Sequence, residues 1–180
     1  MKKILGLLTV LMLLFSSAVF AAEKHICTNK STGGDLVLIV TVSVVTDASG
    51  DTTETALGNE TPGDVTTVSA IMARIINGGY ALTRIVTNGA NTATEMADDS
   101  TLYVYDDHGI NLLGTNGTGA IDSTTGPQNT SYNDIYPLHL TTPEYRLITG
   151  ILTYDTAIND VADATYTLEF TFIKLIWPVR

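Results

Sequence analysis

The stretch Thr165 to Phe172 alternates without a break: Tyr166, Leu168, Phe170 and Phe172 fall on one side, Thr165, Thr167, Glu169 and Thr171 on the other. Successive side chains of a β-strand point to opposite faces, so this segment can bury its aromatic side and wet its threonine side only as a strand of a sheet covered on one face. Leu36 to Thr46 repeats the message, beginning as a continuous apolar run and then setting Val40, Val42 and Val44 against Thr41 and Ser43. Between such stretches Thr, Val, Ile and Tyr dominate, and Gly, Asn, Asp and Ser gather in clusters. That texture belongs to an all-β protein.

Further strands are expected at Thr52 to Leu57, Tyr80 to Thr87, Thr101 to Asp106, Ile110 to Leu113, Ile135 to Leu140 and Tyr145 to Tyr154. In the second of these, Tyr80, Leu82 and Val86 share one side, with Thr83 and Thr87 opposite. Turns punctuate the chain at Asp47 to Asp51, Pro62-Gly63, Asn77-Gly78-Gly79, Asn88-Gly89 and Asp106 to Gly109. Val68, Ala70, Met72 and Ile76 fit one face of a strand, yet Val68, Ile71, Met72, Ile75 and Ile76 also fit a helix near 67–76. The β-branched content and the following turn favour the strand. Gly114 to Asp134 reads as one long polar loop. The pattern predicts one antiparallel β-sandwich of about seven or eight strands, jelly-roll or immunoglobulin-like, with a small barrel as the alternative closure. It would span 35–180, after an arm at 22–34.

The first twenty-one residues read as a secretory signal. Lys2 and Lys3 precede an apolar core from Ile4 to Phe15, and Val19-Phe20-Ala21 supplies the small residues of a cleavage site. The core is shorter than the roughly twenty residues of a membrane span. The processed chain would begin at Ala22, keep no membrane span, and work in the periplasm, at the cell surface or outside the cell. Losing Lys2 and Lys3 leaves seven basic residues against nineteen acidic ones, a net charge of −12. Such a chain repels nucleic acid, which needs clustered Lys and Arg. Cys27 is the single cysteine, so an internal disulfide is excluded. It is either an interchain bridge or a partly buried thiol.

Catalytic patterns are missing. His25, His108 and His139 fall in no zinc-binding spacing, no Ser lies in a G-x-S-x-G elbow, and Cys27 lacks the flanks of a thiol enzyme. Asp98, Asp99, Asp106 and Asp107 flank one short strand and could gather oxygens around calcium, though acids also start turns and solvate loops. Tyr103, Tyr105, Tyr132, Tyr136, Tyr145 and Tyr154 could stack on sugar rings or lie half-buried on strands. Asn116 and Tyr132 mark the 114–134 loop as the contact surface of an adhesin-like module.

Two blocks, Ala81-Leu82-Thr83-Arg84-Ile85-Val86-Thr87 and Leu102 to Gly114, are followed by Asn133-Asp134-Ile135-Tyr136-Pro137-Leu138 and preceded by Val44 to Asp51. With Leu147 to Thr153, these segments resemble, in order, the turn-and-strand signatures of small β-rich structural or accessory proteins of tailed phages and prophages. The resemblance implies a virion-associated or accessory structural role and supplies no catalytic residues. Together with the signal, it yields a non-enzymatic exported β-sandwich that self-associates or joins other surface or virion proteins. The alternative is an adhesin recognising a glycan or surface ligand.

Overall fold

The structure, a computed structural model, describes residues 22–46, 52–89, 100–121, 128–131, 147–157 and 164–175. Two antiparallel sheets are present among them. The larger has the order β1-β2-β8-β4-β6, the smaller β3-β7-β5. Its strands are β1 (Lys24–Thr32), β2 (Val37–Val45), β4 (Tyr80–Gly89), β6 (Gln128–Ser131) and β8 (Thr165–Lys174); the smaller sheet holds β3 (Thr55–Ala56), β5 (Thr101–Tyr105) and β7 (Thr153–Ala157). The all-β, sandwich-like expectation holds, with two separate sheets among the described residues rather than a closed barrel.

The core lies between the sheets. From the larger come Leu38, Val40, Val42 and Val44 of β2 and Tyr166, Leu168, Phe170 and Phe172 of β8; from the smaller come Leu102, Val104 and Tyr154. All of these are the inward members of the alternation. Burying each such side chain stabilises the fold by about 1.5–3 kcal/mol. Strand β8 is the middle strand of the larger sheet, flanked by β2 and β4. Thr46 joins their far ends: its N–H donates to the Ala164 carbonyl at 2.9 Å, and its hydroxyl accepts from Ala164 N at 2.9 Å.

Several expectations change. The segment 22–34, read as an arm, carries β1, which pairs with β2 along its whole length from Lys24↔Val45 to Thr32↔Val37. The stretch expected as a strand at 68–76 is instead helix α1 (Ala70–Gly78). The Ser69 hydroxyl caps it by accepting from Met72 N at 3.0 Å, and Gly79, at φ 68°, closes it in the left-handed conformation. Met72 and Ile75 point into the core, so tertiary burial of one helical stripe overrides β propensity. Arg74 ties the helix to the β1–β2 turn through the Asp35 carboxylate at 2.9 Å.

The β4 register shifts between Leu82 and Arg84. This bulge reverses the facing beyond it, so Ile85 and Thr87 are buried and Val86 turns outward. Thr52 to Leu57 shrinks to the two-residue β3. Gly114–Gly117 forms a 3-10 turn, Ala120 and Ile121 enter the core, and β6 follows, so the 114–134 segment is not one long loop. Of Tyr145 to Tyr154, Leu147 bridges Ala81 and the strand begins only at Thr153. Asp47 to Asp51 and Ile135 to Leu140 lie outside the described residues. No helix among the described residues is long and apolar enough to cross a membrane.

Candidate functional site

Three places bring chemical side chains together. The first is the corner after β5, where the Asp106 carboxylate accepts from His108 N at 3.0 Å and Ile110 N at 2.9 Å, and the Gly109 N–H closes the turn on the Asp106 carbonyl at 2.9 Å. The His108 ring meets Asp107 at 2.9 Å. One ligand atom from each of Asp106, Asp107 and His108 lies within 4.8 Å of the others. The Asp107 side chain also leans over Gly150, where an added Cβ would collide with it and force it aside. Two carboxylates and an imidazole are a donor set closer to a transition metal than to calcium, which gathers six to eight oxygens. A cavity of about 20 Å³ beside them has room for a single water.

The second place joins the two sheets. His25 of β1 is buried, its Nε2 donating to the Glu23 carboxylate at 2.6 Å and its Nδ1 meeting the Tyr154 hydroxyl of β7. A carboxylate accepts, which places a ring proton on Nε2 toward Glu23 and sets Nδ1 against the Tyr154 hydroxyl. Burial drives the Tyr154 hydroxyl far above the ordinary tyrosine range, which keeps it protonated and donating. Glu23 also accepts from Thr53 N at 2.9 Å and Thr53 Oγ1 at 2.7 Å. Both ring nitrogens are thus committed to partners and shut from solvent, so His25 works here as a clamp between sheets.

Cys27 points the same way as His25. Its thiol donates to the Asn59 carbonyl at 3.3 Å, and burial pushes its pKa up to about 11, helped by nearby Glu60 and opposed by the Gly58 backbone. A half-buried thiol held neutral is poorly placed for an interchain bridge or for nucleophilic work.

The third place is the outer face of the smaller sheet. Tyr103 and Tyr105, two apart on β5, turn away from the core with ring planes 8° from parallel and centroids 6.0 Å apart. Asp155 of β7 pairs with Tyr103 across the ladder. Its carboxyl accepts from Thr52 Oγ1 at 3.2 Å, and burial raises its pKa, with Glu54 and Glu23 adding to the rise. Glu54 accepts from the Thr153 hydroxyl. Two parallel aromatic faces beside two carboxylates suit a cation with an apolar stem, or a ring that stacks and donates hydrogen bonds.

Of the residues singled out from sequence, Asp106 and Asp107 do come together and gain His108. Asp98, Asp99 and Tyr132 lie outside the described residues, as does the side chain of Asn116. Glu23, His25 and Asp155 escaped sequence reasoning. The signal for His25 was its parity with Cys27 on β1, legible only once residues 24–32 are read as a strand. Comparison with protein-family models, curated proteins and solved structures finds no match for this chain.

Proposed function

We propose that this chain is a non-enzymatic, exported structural module that assembles with further copies or with other surface or virion proteins through flat sheet surfaces. The observation that carries the reading is the outer face of the larger sheet. Across four strands its side chains stand in register as Ile26, Ser43, Thr167 and Asn88, then Thr28, Thr41, Glu169 and Val86, then Lys30, Ile39, Thr171 and Arg84. Rows of β-branched and hydroxyl side chains at ladder spacing form a broad, even surface, and Ile26 within it is 43 % exposed. A surface of that kind fits another protein surface better than it fits a small molecule, for which concavity matters. Sedimentation of the processed chain over rising concentration, with and without calcium and oxidant, tests the reading. Growth in mass supports it, and a strict monomer under every condition overturns it. The exported address rests on the N-terminal pattern; a cell-retained protein that still carries Lys2 and Lys3 would remove it.

A second reading has one observation behind it. The parallel Tyr103 and Tyr105 rings beside Asp155 offer a stacking site for a glycan, at the smaller sheet rather than in the 114–134 segment. Glycan-array binding lost in Tyr103→Ala would support it, and an array without binding would dismiss it.

A further inference from the structure

Charge is divided between the two sheets. The larger sheet and the described segments around it carry Lys24, Lys30, Arg74, Arg84 and Lys174 against the acids Glu23, Asp35 and Glu169. The smaller sheet and the described segments around it carry Glu54, Glu60, Asp64, Asp106, Asp107 and Asp155, with neither Lys nor Arg in 52–66, 100–121 or 147–157. Among the described residues, this leaves the larger sheet's side with a basic excess and the smaller sheet's side acidic.

The division reaches the outward faces themselves. Lys24 and Lys30 occupy the outward positions of β1, on the side away from buried His25, and Arg84 stands in the same row as Lys30. On the opposite side of the molecule the outward surface is Tyr103, Tyr105, Asp155 and neighbouring Glu54. Lysine is the residue these groups would take: its ammonium satisfies a carboxylate while its stem and charge lie on a tyrosine ring. The same chemistry occurs within the chain, where Lys174 Nζ lies 6.0 Å from the Tyr80 ring centroid.

We propose that the outer face of the larger sheet of one copy docks on the outer acidic, tyrosine-bearing face of the smaller sheet of the next, in a head-to-tail array. The proposal rests on the self-assembly reading above and adds its geometry. Pairing two identical faces would set Lys24, Lys30 and Arg84 against one another, or Glu54 and Asp155 against one another. Like charges juxtaposed across an interface are costly. The unlike pairing alone is attractive, and a contact between two different faces leaves each end open to a further copy. β-edge pairing along β1 is the rival route, but lysines on an edge strand discourage it.

Strand spacing and rise give the three-stranded face a few hundred Å² at most, below the ~800 Å² per partner of a standard interface. Single contacts are therefore weak, and assembly depends on concentration. The net charge of the chain, −10 over the whole sequence and −12 once Lys2 and Lys3 are removed, opposes it at low salt. At physiological salt the screening length of about 8 Å suppresses this repulsion while sparing contacting pairs.

The test mixes two full-length variants, each processed on export. Lys24→Glu with Lys30→Glu reverses the basic face, and Glu54→Lys with Tyr103→Lys reverses the acidic one. Melting curves like that of the natural chain establish that each is folded. Each alone is expected to lose self-association by about tenfold or more. Mixed in equal amounts, they restore contact through their two unaltered faces, and their two reversed faces are again of unlike charge, so the mixture is expected to assemble although neither variant does alone. Natural-chain assembly that both variants retain would overturn this geometry and leave the self-assembly reading standing. Two variants that stay monomeric when mixed would also overturn it. A monomeric natural chain would instead defeat the self-assembly reading itself.

Discussion

The larger sheet is long, paired along nine positions between its central strands, and carries its strand cations mostly on β1 and β4, whereas the smaller is short and acidic among the described residues, with β3 only two residues long. They also hold together differently. In the larger sheet the main-chain ladder and the apolar inner rows of β2 and β8 suffice. In the smaller sheet side-chain hydroxyls reinforce the few ladder bonds: Thr52 Oγ1 meets Thr156 Oγ1 at 2.6 Å, and Thr156 Oγ1 meets the Tyr166 hydroxyl of β8 at 2.8 Å. A short strand cannot anchor itself by its ladder alone, so it borrows side-chain partners from its neighbours and from the opposing sheet.

Substitutions sharpen this contrast. Phe170→Ala, in the buried row of β8, is expected to lose about 3–5 kcal/mol of unfolding free energy, read by denaturant titration. Thr156→Val keeps the volume but removes the buried hydroxyl partner of Tyr166 and one of the partners of Thr52, at a cost of about 1–3 kcal/mol. The same exchange at Thr167, on the outer face of the larger sheet, should stay within about 0.5 kcal/mol of the natural chain. Equal losses at Thr156 and Thr167 would erase the contrast.

Much of the larger sheet was legible because β2 and β8 alternate without interruption from end to end. β4 was only half legible. Its first residues faced as expected, but the extra residue at Thr83, whose hydroxyl bonds the Thr171 carbonyl at 3.0 Å, reverses all that follows and leaves no mark in the pattern. At 68–76 the helical and alternating spacings coexist in the sequence, and it is burial of Met72 and Ile75, with the Ser69 cap and the Gly79 stop, that selects the helix over the β-branched preference. The clamp of Glu23, His25 and Tyr154 joins positions 129 apart, which no local pattern can pair. Charge division between the sheets likewise becomes visible only when strand order groups β1, β2, β4, β6 and β8.

Two smaller effects probe the acidic side. Burial holds the Asp155 proton more tightly in the folded chain than its ordinary 3.8, so the folded state loses stability as pH rises from that value through the raised one. Asp155→Asn removes the loss and can still accept from Thr52. It should raise stability at neutral pH, read by denaturant titration, with the gain vanishing in acid. Cys27 should react slowly with an alkylating reagent at pH 8 in the native chain and quickly in denaturant, since its folded pKa is about 11. Equal rates would show that the thiol is not sheltered on β1.

Sedimentation velocity of the processed chain at about 0.15 M and about 1 M salt measures the contact between unlike faces most directly. Mass that rises with concentration at the lower salt and falls back to the monomer at the higher is the expected result. Association that is unchanged or strengthened at high salt would contradict it, because burial of apolar surface rather than opposed charge would then hold the copies together.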